Sequence, residues 1–131
     1  MSDTIREQEA ILTKLGIHQL NPMQEEAIPT IERVKNTILL SPTGTGKTLA
    51  FLLPIINNLD ITCKEVQALI LVPSRELAIQ IEQVIRSMGS GYKVNAVYGG
   101  RPISKDKIEL EHTPAILVGT PGRIEDHFRS D

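Results

Sequence analysis

The chain has 131 residues, with 14 Lys+Arg against 16 Asp+Glu, one cysteine, no tryptophan and a formal net charge of −2. That length holds one domain or part of a larger one, and 40% hydrophobic with 23% charged residues describes a soluble globular chain, not a disordered one. The charge balance excludes a wholly basic nucleic-acid binder, so any contact with a phosphate backbone must come from a local patch. The lone Cys63 excludes an internal disulfide and a cysteine-based zinc site, which points to a reducing, cytoplasmic setting.

In chain order, Thr4-Ile-Arg-Glu7 reads as a capping box that opens a helix, with Gly16 as its stop. The polar start MSDTIREQEA is no secretory leader, and no apolar run approaches the ~18 residues that span a bilayer. Asn21-Pro22 opens a second helix, a cap residue before proline at the first helical position. Residues 1–36 therefore form an N-terminal helical segment. Thr37-Ile-Leu-Leu-Ser41 is an apolar strand candidate, followed by a helix over Thr48–Leu59. Ala68–Val72 and Ala115–Val118 are continuously apolar, as strands covered on both faces of a parallel sheet are. Ser74–Met88 places Leu77, Ala78, Ile81, Val84, Ile85 and Met88 on one helical face, and Gly89 ends it. Val94–Tyr98 is the remaining strand candidate, and Thr120-Pro121 opens a last helix. Four strands alternating with helices predict an α/β fold, a parallel sheet flanked by helices over residues 37–131. With the chain ending barely three turns into its last helix, the expectation is a truncated domain.

The strongest local signal is Ser41-Pro-Thr-Gly-Thr-Gly-Lys-Thr48, placed between an apolar strand and an apolar helix. This strand–loop–helix context is that of a phosphate-binding loop. Gly44 and Gly46 let the backbone curl so that its N–H groups converge on an anion at the positive end of the helix. Lys47 brings a charge for the β- and γ-phosphates, and the Thr48 hydroxyl is suited to Mg²⁺. The competing reading is a glycine-rich turn carrying an exposed lysine.

Each other motif also has two readings. Gln24 can complete a capping box and do no more, or its amide can donate to and accept from an adenine edge. Pro73-Ser74-Arg75 is an ordinary helix start, or a strand-end site for a nucleic-acid phosphate. Gly99-Gly100 is a turn after a strand, or a place where a sugar-phosphate backbone lies against the main chain. Thr120-Pro121-Gly122-Arg123 is a cap followed by proline, or a second phosphate grip. The last three of these motifs sit at strand ends, where open α/β sheets bind ligands. His18, His112 and His127 share no metal-ligand spacing, and Glu109–His112 reads as a solvated helix end.

Taken together, these segments resemble the first RecA-like domain of the DEAD-box RNA helicases, P-loop NTPases. Gly16-Ile-His-Gln-Leu-Asn-Pro-Met-Gln24 is similar to the Q motif, Ser41–Thr48 to motif I, Pro73–Ala78 to motif Ia, Gly99-Gly100 to the GG doublet and Thr120–Arg123 to motif Ib. The resemblance implies ATP and Mg²⁺ as cofactors and a single RNA strand gripped by its backbone, without sequence reading. It carries the ATP site onto Ile17, Gln24, Ser41, Pro42, Thr43, Gly44, Thr45, Gly46, Lys47 and Thr48, with Lys47 and Thr48 in the catalytic role and Thr48 at the metal. It carries the RNA site onto Pro73, Ser74, Arg75, Gly99, Gly100, Thr120, Pro121, Gly122 and Arg123. Ile17 stands where the family usually has an aromatic that stacks on the base, so the aliphatic side chain covers adenine without a π-face.

ATP hydrolysis in this family also needs an apolar strand that ends in acidic residues. Neither continuously apolar run here does so: Ala68–Val72 continues into Pro-Ser-Arg and Ala115–Val118 into Gly-Thr-Pro-Gly-Arg. The expected domain is therefore truncated before the Walker B strand. The fragment binds ATP and RNA, while hydrolysis and unwinding belong to a complete protein. The alternative is a non-catalytic adenine-nucleotide-binding module, and a truncated sheet would also be prone to self-association.

Overall fold

The computed structural model describes residues 2–40, 46–100 and 102–130, with side chains from Gln8 to Arg129 among them. They form two compact units, residues 1–59 and 60–131.

The first unit is helical. Helix α1 (Ser2–Lys14) ends where Gly16 takes a left-handed φ of 74°. There the Gly16 N–H donates to Thr13 O and the Ile17 N–H to Leu12 O, so the last carbonyls are satisfied by a glycine stop. The helix begins at Ser2, which puts Thr4 inside it and corrects the expected capping box at that residue. Helix α2 (Pro22–Arg33) has the expected cap. Asn21 Oδ1 accepts from the Gln24 N–H at 2.8 Å, and Gln24 Oε1 accepts from the Asn21 N–H at 3.0 Å. Helix α3 (Lys47–Asn57) packs on α2, burying Leu49, Ala50, Leu52, Leu53 and Ile56.

One expectation fails here. Thr37–Leu40 forms no strand, and Ile38 and Leu40 are almost fully exposed, at 88% and 90%. The reason is pairing, not propensity. An isolated extended segment leaves its N–H and C=O groups without a ladder and is not stable in water. Among the described residues of the first unit there is no other strand to supply one. The sheet accordingly has three strands where four were expected.

The second unit alternates: β1 (Ala68–Leu71), α4 (Arg75–Met88), β2 (Val94–Val97), α5 (Ile103–Glu109), β3 (Ile116–Gly119) and α6 (Pro121–Ser130). The sheet is parallel with order β1-β3-β2. Its register puts Ala68, Val94 and Ile116 in one row and Leu71, Val97 and Gly119 in another. The connection from β1 to β2 steps over β3, and the next one steps back. Right-handed crossovers of opposite direction put their helices on opposite faces. Helix α4 covers one face with Ala78, Ile81 and Ile85. Ile124 of α6 covers the other, against Gly119 and Val97. Ile116 and Val118 in the central strand are wholly buried, so the core lies where parallel-sheet patterning put it.

Candidate nucleotide and nucleic-acid sites

The first candidate site is built on the junction of α2 and α3. Gly46 caps α3 in a left-handed conformation (φ 84°, ψ 27°) that a side chain would strain. A Cβ there would also lie 2.5 Å from Gln24 Nε2. That close approach has a purpose, because Gln24 Nε2 donates to Gly46 O at 3.1 Å. The Gln24 side chain, 5% exposed, thus spans from the α2 cap to the end of the phosphate loop. The capping-box reading is borne out, and the same amide makes a second bond. Its oxygen serves the capping box, and its nitrogen holds the loop. An amide has two donors and two acceptor lone pairs, so capacity remains for a ligand edge. Nothing in the sequence announced the Gly46 bond, which joins residues 22 apart.

Lys47 and Thr48 form the first turn of α3, both half-buried. Ile17 is half-buried at the α1 stop. Ser41, Pro42, Thr43, Gly44 and Thr45 lie outside the described residues. Those that are described fit a nucleotide phosphate: a left-handed glycine, a helix start, a lysine and a hydroxyl in sequence. No cluster of three or more His, Cys, Asp or Glu that could hold a metal exists among the described residues.

The second candidate site lies at the carboxyl ends of the strands in the second unit. Ser74 caps α4, its Oγ accepting from the Leu77 N–H at 3.2 Å. Arg75 follows, about half exposed, and its Nη1 lies 2.8 Å from where a Cβ on Gly100 would stand. Gly100 has φ 94°. The structure therefore brings Arg75 and the diglycine together, and a larger residue at position 100 would push the guanidinium away. Pro73, Gly99 and Gly100 are exposed. The Thr120 N–H donates to Val97 O at 3.2 Å, and the Ile124 N–H to Thr120 O at 3.0 Å, so the α6 start is fixed to the end of β2. Gly122 has open space where a side chain would be.

Arg123 is placed differently from the rest. Its side chain is only 9% exposed and its Nη1 lies 3.4 Å from Asp106 Oδ2, while His127 Nε2 lies 3.1 Å from the same oxygen. Asp106 and His127 were missed as functional candidates. The one available signal was the spacing of Arg123 and His127, four apart on one helical face. Cys63 is exposed, and His112 lies exposed beyond the end of α5.

Comparison with known proteins is decisive for the family. The model of the DEAD/DEAH box helicase family matches residues 21–131. The chain belongs to this family. Among curated DEAD-box relatives, it is 43% identical over 119 residues to the ATP-dependent RNA helicase CshA of Limosilactobacillus reuteri, covering 89% of this chain and 24% of that protein. It is 44% identical over 119 residues to the CshA helicase of Listeria monocytogenes, again 89% of this chain and 23% of the relative. The chain thus spans about a quarter of the length of these helicases. Among solved structures, a hypothetical ATP-dependent RNA helicase from Sulfolobus tokodaii superposes with a TM-score of 0.81 at 30% identity, over 95% of this chain and 36% of that one. Mss116p bound to single-stranded RNA and AMP-PNP gives 0.82 at 30% identity, over 92% and 26%. The RecA-like α/β fold expected for a DEAD-box helicase is thereby shown. No helix among the described residues is long and apolar enough to cross a membrane.

Proposed function

We propose that this chain works in an ATP-dependent RNA helicase, to which it brings an adenine-nucleotide loop and part of an RNA-backbone grip. The observation that carries this is the Gln24 strut. One buried amide joins the α2 cap to the carbonyl of Gly46, so occupation of the base side is felt at the phosphate side. Ile17 and Gln24 take the adenine, residues 41–48 the phosphates, and Thr48 with phosphate oxygens and water the Mg²⁺. Bound ATP supplies the free energy of phosphoryl transfer. Lys47 offsets charge on the transferring phosphate, and the α3 N-terminus holds it in place.

Pro73, Ser74, Arg75, Gly99, Gly100, Thr120, Pro121 and Gly122 grip one RNA strand through sugar and phosphate, which fixes position without reading bases, while Arg123, turned to Asp106, supports the grip from behind and does not touch the strand. Support comes from their location at the strand ends where the crossover direction reverses, and from a relative structure that holds single-stranded RNA. Hydrolysis and duplex separation belong to the complete protein. The chain alone binds nucleotide without turning it over, because neither β1 nor β3 runs into an acidic residue. Among the described residues β1 has a paired strand on one side only, and self-association of the sheet through its other edge is part of this reading.

Calorimetric titration with ADP and GDP, followed by phosphate release with and without single-stranded RNA, tests the proposal. ADP binds in preference to GDP and RNA does not stimulate hydrolysis. A preference for GDP removes the adenine assignment, and robust RNA-stimulated turnover removes the division of labour. ADP binding with no trace of RNA binding favours the non-catalytic nucleotide module.

A further inference from the structure

Of the polar and charged side chains buried among the described residues, Asp106 alone has no exposed surface. A carboxylate in such a place is costly unless it is paired and hydrogen-bonded. Arg123 lies 3.4 Å and His127 3.1 Å from its Oδ2. Those partners stand one turn apart on α6, so a single carboxylate on α5 holds two successive turns of the neighbouring helix. Stability does not explain the choice, since apolar residues of similar volume at a buried ion pair are commonly neutral or better. Orientation does. Ile124 packed over Gly119 sets how closely α6 approaches the sheet, but one aliphatic contact fixes rotation about the helix axis poorly. A two-point clamp on the same side of the helix, an ion pair to Arg123 and a hydrogen bond to His127, fixes it.

What the clamp orients is specific. Helix α5 begins at Ile103, three positions after Gly100 in the sequence, and α6 begins immediately after Thr120. Arg75 already lies on Gly100. The path from Arg75 to Gly100, through α5 to Asp106, and across to Arg123 and the start of α6 joins all three strand-end loops. We infer that Asp106 is a positioning residue for RNA: through Arg123 and His127 it sets α6 against α5 so that the diglycine loop and the Thr120–Gly122 turn meet one strand together. It touches no RNA itself. The inference rests on the RNA-backbone reading of those loops.

The test is binding of a short fluorescein-labelled oligouridylate to the chain and to its Asp106→Asn, Asp106→Glu and His127→Gln variants, with melting temperature, ADP affinity and amide spectra recorded in parallel. Asp106→Asn weakens RNA binding by about 3- to 30-fold, the range of couplings carried through a packed network. His127→Gln weakens it less, Asp106→Glu restores part of the loss, and ADP affinity stays put. The amide signals of Gly99, Gly100, Thr120 and Gly122 move together in the weakened variants. If Asp106→Asn does not fold, His127→Gln decides: weakened RNA binding with shifted loop amides supports the clamp. Lower melting temperatures with unchanged RNA affinity overturn it and leave a merely structural ion cluster. Absence of RNA binding by the unsubstituted chain removes the RNA reading, and this role for Asp106 with it.

Discussion

Gln24 in the first unit and Asp106 in the second do related work by different physics. Each is buried, and each ties one helix to its neighbour. The Gln24 amide is neutral and has donors and acceptors together, so it can keep its two structural bonds and still present capacity to a ligand. The Asp106 carboxylate only accepts, and its burial obliges it to keep cationic or donating partners. On the proposed reading, the phosphate loop is held by a yielding strut, and the RNA-facing surface by a clamp that is expensive to open.

The largest effect that breaks this comparison is Asp106→Ala. It takes from the nearly buried Arg123 the carboxylate at 3.4 Å, and removal of one partner from a buried pair costs about 3–5 kcal/mol. Urea unfolding followed by circular dichroism reads it, and a loss no larger than that of a surface substitution shows that α5 and α6 do not need the clamp. Gln24→Ala is the matching cut in the first unit. It removes one capping-box bond and the bond to Gly46, which together are worth about 1–2 kcal/mol. Gln24→Glu sharpens the contrast. It keeps an acceptor for the Asn21 N–H but sets a second oxygen against Gly46 O, so ADP affinity falls more than stability does. Equal losses of both in Gln24→Glu show that the nitrogen has no separate part in the loop.

Much of this was readable in the sequence, because the signals were local. Asn21-Pro22 with Gln24, Ser74 before an amphipathic run, and the stops at Gly16 and Gly89 all express hydrogen bonds within a few residues, and all are present. Ala68–Leu71 and Ile116–Gly119 are strands because their apolar runs also find partners. Thr37–Leu40 has an equally apolar run and forms none, since a ladder is a property of two segments and one segment's composition does not report it. The Gln24–Gly46 bond and the Asp106 cluster were illegible for the same reason. They join residues 22, 17 and 21 apart, and only the packing of helices brings them together.

The smallest effect concerns a carboxylate in the same unit as Asp106 but held in the open. Asp60 accepts from the Thr62 hydroxyl at 2.7 Å and from the Thr62 N–H at 2.9 Å, and these bonds, the hydroxyl first, hold its carboxyl below the ordinary value. Because the folded value is depressed, the stabilisation is present above the unfolded carboxyl's titration and is lost as pH falls through the folded one. Thr62→Val removes the hydroxyl and keeps the N–H. The Asp60 carboxyl resonance then titrates at higher pH than in the unsubstituted chain, but still below an ordinary aspartate. An unmoved midpoint assigns the shift to the backbone N–H alone. Solvent screens an exposed group of this kind, so the change in unfolding midpoint is far smaller than for Asp106→Ala. Two carboxylates in one unit then differ in consequence because one is surrounded by water and the other by two helices.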